Sequence, residues 1–147
     1  MPTRFFAIAI AAAAIAAAPA GVPSASAQET QAPVVAVNLS NLTMADFTIA
    51  EAGLEGGHWL GDAPQYGQAL PMYEADLIRA QSDGSAGAAG QSGFIVLSGY
   101  GRPITLRWSL DRHGKLGMTF AGNEKVNVHA VQVANLPLLN FTLVDRE

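Results

Sequence analysis

The stretch "PITLRWSL" followed by "DRHGK" and "LGMTF" constrains this chain more than any other. Ile104, Leu106, Trp108 and Leu110 alternate with Thr105, Arg107 and Ser109. That period of two puts the apolar set on one face of a strand and the polar set on the other. Leu116, Met118 and Phe120 repeat the pattern after a turn in which Gly114 is free to take positive φ. The two segments read as a β-hairpin. Similar segments precede it at Val34 to Leu39, Phe47 to Ala52, Met72 to Gln81 and Phe94 to Tyr100, and follow it at Val126 to Val133 and Leu138 to Val144. The apolar face changes parity near Ala130, which predicts a bulge there. Asn135 and Pro137 mark the last turn. Eight short strands at regular spacing, with no amphipathic helix longer than about two turns, predict an all-β fold. The expected architecture is a single-domain antiparallel two-sheet β-sandwich of about eight strands.

The N-terminus is of a different kind. Arg4 precedes the apolar run "FFAIAIAAAAIAAA", then Pro19, Gly21 and Pro23 relax the chain before Ala25 to Ala27, "ASA". A short positive segment, an apolar core and a small-x-small site are the parts of an export signal. The run is shorter than the roughly 20 apolar residues that span a bilayer. Residues 1–27 are therefore read as a signal peptide cleaved after Ala27, residues 28–33 as a polar connector, and residues 34–147 as the sandwich. The expected location is secreted or periplasmic, and the alanine-rich leader is bacterial in style.

Net charge excludes some partners. At −4 overall, with only two lysines, the chain lacks the basic surface that nucleic-acid affinity requires, and it has no polybasic segment for anionic lipid. Without cysteine it has neither disulfides nor thiol chemistry. No serine stands in a G-x-S-x-G turn. Asp62, Glu74, Asp76 and Asp111 are the carboxylates a small hydrolase would have to pair, but acidic residues on turns and solvent faces are the ordinary case. His58, His113 and His129 lack the local spacing of a metal site. "DGSAGAAGQSG", Asp83 to Gly93, is a glycine-rich loop without a Walker lysine. No cofactor or metal is expected, and the sequons at Asn38, Asn41 and Asn140 are read as fortuitous.

The aromatic residues carry what functional signal there is. Trp108 belongs to a clean apolar face and reads as core. Trp59 stands in "GLEGGHWLGDAPQYG", among Gly56, Gly57 and Gly61, where no strand periodicity buries it. A tryptophan in such a loop is either a plug over the end of the sandwich or a partly exposed anchor.

The central segment also carries a family likeness. "GGHWLGDAP", then "LPMYEADLIRAQSDGSAGAAGQSGFIVLSG", then a tryptophan-bearing strand, resembles the aegerolysins and the wider group of actinoporin-like secreted β-sandwich proteins. The matching positions are Gly57, Trp59, Pro64, Leu70-Pro71, Ser82, Gly90, Gly93 and Trp108, within Leu54 to Phe120. "SLDRHG" follows Trp108 where that group often has a proline and a second aromatic, and the cysteine common in fungal aegerolysins is absent. The resemblance implies a non-enzymatic module that binds membrane lipid or a surface ligand through loops at one end of the sandwich. In that reading Trp59 and Tyr66 insert or stack, Tyr100, Arg102 and Arg107 contact polar groups, and His58 lies beside them. The alternatives are a self-associating extracellular protein, a homo-oligomer pairing through edge strands such as "FIVLSGY", and a small secreted hydrolase using dispersed acids.

Overall fold

The computed structural model describes residues 31–84 and 90–147. The expected signal peptide, the first half of the connector and the middle of the glycine-rich loop lie outside these residues. Ten strands form two five-stranded sheets that face each other without closing into a barrel. The first sheet has the order β3 (Gly57–Leu60), β5 (Ala75–Ser82), β1 (Val34–Asn41), β10 (Leu138–Asp145), β9 (Val126–Gln132). The second has the order β4 (Ala69–Leu70), β2 (Phe47–Glu55), β6 (Gln91–Ser98), β7 (Ile104–Leu110), β8 (Leu116–Phe120). The described residues contain no helix.

Alternation builds the core directly. β1 and β6 bury every second residue along their whole length, and Ile104, Leu106, Trp108 and Leu110 of β7 are all buried. The inner faces meet in one cluster, with Val35, Val37, Leu39, Leu139, Phe141 and Leu143 of the first sheet against Phe47, Ile49, Ile95, Leu97 and the β7 set. The β7–β8 turn closes as the sequence implies: Gly114 has φ +79°, and the Asp111 N–H donates to the Lys115 carbonyl at 2.9 Å.

Several expectations need correcting. The pairing is not wholly antiparallel, because β1 and β10 run parallel, from Ala36 opposite Leu138 to Asn41 opposite Leu143. Two strands were not foreseen, β3 and β4. Both are short, and β3 lies in the glycine-rich segment read as a loop; its regular pairing with β5, Trp59 opposite Ala80, comes from a partner that local periodicity does not reveal. β5 begins at Ala75 rather than Met72, because Tyr73 sits at φ 60° in a turn. β9 keeps an unbroken register with β10 through Ala130, so the parity change there is an exposed Val131 and not a bulge. The bulge is in β2, between Ile49 and Glu51, and it lets Ala52 and Leu54 continue the inward face. Finally, "FIVLS" forms most of β6, which is paired on both sides by β2 and β7 and offers no edge to a second chain.

Candidate functional site

Two loops at one end of the sandwich are tied together. Asn41, fully buried at the end of β1, donates from Nδ2 to the carbonyls of Ala45 (2.8 Å) and Leu70 (3.0 Å), while its Oδ1 accepts from the Thr43 N–H and hydroxyl. The Asp46 carboxylate accepts from the Met72 N–H at 2.9 Å, and the Asp145 carboxylate accepts from the Met44 N–H at 3.0 Å. The β1–β2 loop is thus fixed to the β4–β5 loop, with their backbone polar groups satisfied from below. Beside the exposed carboxylates Asp46 and Glu74, these loops present four large apolar side chains outward: Leu42 is 51% exposed, Met44 75%, Met72 45% and Tyr73 63%. Tyr66, on the loop between β3 and β4, is 87% exposed beside the start of β2, where the Gly67 N–H donates to the Ile49 carbonyl. Large apolar groups gathered on ordered loops mark an interaction surface, whereas scattered ones do not.

Tyr73 adds a conformational cost. Positive φ is unusual for any non-glycine residue and an outlier for a bulky one, and among the described non-glycine residues only Asn135 shares it. Asparagine tolerates this region; tyrosine is held there by its surroundings.

The six residues singled out from the sequence do not converge. Tyr66, Tyr100 and Arg102 belong to the loop end just described. Tyr100 is half-buried edge-on against Phe47, ring centroids 6.3 Å apart. Arg102 is paired with Glu124, Nε to Oε2 at 3.1 Å, and its N–H donates to Oε1. His58 faces solvent nearer the other end, with Nδ1 3.0 Å from the Asp83 carboxylate. Trp59 points inward from β3, half-buried, against Trp108. Arg107 stands on the outer face of the second sheet. Leu42, Met44, Met72 and Tyr73 were missed. Their signal was apolar side chains inside turn sequences, "NLTMAD" and "LPMYEA", where turn chemistry calls for polar ones.

Arg107 lines a second feature, an open groove of about 640 Å³ across β2, β6, β7 and β8. Registers place two outward rows in it: Gly53, Phe94, Arg107 and Thr119, then Glu55, Ser92, Ser109 and Gly117. The Arg107 guanidinium lies over the Phe94 ring, 5.1 Å from its centroid. Gly53 makes room for that ring, since a Cβ there would come within 2.4 Å of Phe94 Cε1. Beneath this layer Gly93 does the same on the inner face for Trp108, whose Cζ2 would meet an added Cβ at 2.1 Å.

Among the described residues no group of three or more His, Asp and Glu side chains could hold a metal ion. The carboxylates named for hydrolysis are spread out: Glu74 and Asp76 sit beside the start of β5, and Asp111 lies in the turn at the opposite end of the second sheet. The two carboxyls whose titration the fold displaces are both pushed down. The Lys115 N–H, then that of His113, lowers Asp111; Glu124 is lowered by its own backbone N–H and then by Arg102. A general acid at neutral pH needs a shift in the other direction.

No family model matches the chain, and no curated protein does. Among solved structures it is similar to the crystal structure of the lipid binding protein Nakanori, with a TM-score of 0.57 over 79% of this chain and 72% of that one, at 14% sequence identity. The likeness establishes a shared fold.

Proposed function

We propose that this chain is an exported, non-enzymatic lipid-binding module of the aegerolysin or actinoporin-like kind, which docks on a membrane through the loop end carrying Leu42, Met44, Tyr66, Met72 and Tyr73. The observation that carries this reading is that cluster, exposed together and fixed by Asn41 and Asp46. A fold shared with a lipid binding protein supports it. Methionine and tyrosine suit the boundary between headgroup and acyl chain, one being adaptable and the other having a polar tip. Moving each of these exposed side chains out of water contributes on the order of 1 kcal/mol. The flanking charges Asp46, Glu74 and Glu124 offset Arg102 and Lys125, so the surface favours zwitterionic over anionic lipid.

Co-sedimentation of the mature protein with phosphatidylcholine vesicles tests the reading. Met44→Ser combined with Met72→Ser should weaken binding about tenfold without changing the fold. No binding by the parent protein, or equal binding by the double variant, rules it out. Export is part of the proposal, and an intact mass of secreted protein should correspond to a chain beginning at Gln28.

A further inference from the structure

The groove on the outer face of the second sheet has no part in docking by the loop end, and it lies toward the other end of its strands. Its chemistry is specific. Arg107 is its only cation and Glu55 its only anion, and no carboxylate among the described residues pairs with Arg107. The guanidinium carbon sits over the Phe94 ring, 5.1 Å from its centroid, and the N–H donors of its planar fork, taken by no described carboxylate, are available to a ligand. Such a fork matches the two oxygens of a carboxylate or sulfate.

The second row supplies the complement. Ser92 and Ser109 offer hydroxyls that donate and accept, and Glu55 accepts from a ligand hydroxyl. Gly117 keeps this part open, since a Cβ there would sit 3.0 Å from Ser109 Oγ. β2, which carries Glu55, and β7, which carries Arg107, are separated by β6, so the two charges stand on strands about 10 Å apart. A ligand spanning them has one anionic group and several hydroxyls. The mixed polar and apolar lining of this open groove fits neither an acyl chain nor an added strand, which would need an edge.

We infer that this groove binds an acidic saccharide, with the carboxylate or sulfate on Arg107 and ring hydroxyls on Ser92, Ser109 and Glu55.

Calorimetric titration of the mature chain tests this with three soluble probes, a uronic-acid oligosaccharide, a sulfated disaccharide and a neutral oligosaccharide of the same size, and with inorganic sulfate. One or both acidic probes should bind saturably, and the arm that binds says which anion is read. The neutral probe and sulfate alone should bind at least about tenfold more weakly, and binding should weaken as salt is added. Arg107→Gln should remove about the same factor. Gly117→Val, which fills the groove without altering charge, should also block binding, and cooperative melts of both variants confirm that they fold. Both should still sediment with phosphatidylcholine vesicles, whereas the Met44 and Met72 variant should still bind the saccharide. Equal affinity for neutral and acidic probes, sulfate binding as tightly as saccharide, or an unaffected Arg107→Gln would overturn the inference. So would capture of phosphatidylglycerol vesicles through Arg107 with no binding of either soluble acidic probe.

Discussion

The indole of Trp59 meets that of Trp108 edge-on, with ring centroids 6.1 Å apart and planes at 64°. One ring comes from the edge strand of the first sheet and the other from inside the second, so the pair joins the two layers where β2 crosses over into β3. Gly56, at φ +72°, makes that crossing against the Gly90 carbonyl, which a Cβ would approach to 2.4 Å. Of the two roles the sequence left open for Trp59, this packing favours the plug. Trp59→Ala should lower stability by about 1–3 kcal/mol, as partial truncation of a core contact does. Vesicle binding per folded molecule should stay unchanged. Thermal melts beside co-sedimentation decide the matter, and an unchanged melting temperature with lost binding would restore the anchor.

Trp108 and Arg107 are neighbours on opposite faces of β7, and their substitutions should differ accordingly. Trp108 is 2% exposed, fitted over Gly93, and Trp108→Ala should cost about 3–5 kcal/mol. Arg107→Ala loses only its stacking on Phe94, worth about 0.5–1 kcal/mol at an exposed site. Urea melts with both variants check the assignment of faces; equal losses would contradict it.

That contrast shows what the sequence made legible. β7 and β8 were readable because alternation, a turn glycine and a matching return strand all agree locally. β3 was not, because Gly57 to Leu60 is too short for a periodic signal and owes its strand state to β5, some twenty residues later. The parallel pairing of β1 with β10 joins opposite ends of the domain, and no local pattern encodes it. The site was legible only in outline. Tyr66, Tyr100 and Arg102 at the loop end were named from the sequence, but Leu42 and Met44 lie beyond Leu39, where the first strand was read to end, and were not singled out. Phe94 was hidden differently, as an apolar residue on the outward parity of β6, where only the register with Arg107 gives it a purpose.

Asp111 should make the hairpin turn sensitive to acid. Its Oδ1 accepts from the His113 and Lys115 N–H groups, both at 2.8 Å, and the Lys115 bond is the largest cause of its lowered pKa. A carboxyl with a folded pKa below its unfolded one stabilises fully above the unfolded value, and that contribution disappears as the pH falls through the folded value. Asp111→Asn keeps an acceptor but does not titrate. The stability difference between parent and variant should therefore be constant from neutral pH down to about pH 4 and shrink below it. Denaturant melts across that range measure it, and a difference that grows on acidification would reverse the sign.

Tyr73 should expose a conflict between stability and function. At φ 60° its side chain crowds its own backbone, a strain of about 1–2 kcal/mol that glycine does not feel. Glycine's greater freedom in the unfolded chain offsets about 0.5–1 kcal/mol of that. Tyr73→Gly should therefore raise stability modestly, by about 0.5–1 kcal/mol. The same change removes one of the most exposed rings at the loop end and should weaken binding to phosphatidylcholine vesicles. Tyr73→Ala separates the two effects, since it keeps a Cβ at positive φ and loses the ring. It should bind as poorly as the glycine variant without gaining stability. Were Tyr73→Gly to melt higher yet bind as the parent does, the strain would be real but the ring would lie outside the docking surface. Were it to melt lower, contacts of the ring with the neighbouring loop would outweigh the strained backbone, and Tyr73 would be a structural residue of the β4–β5 turn.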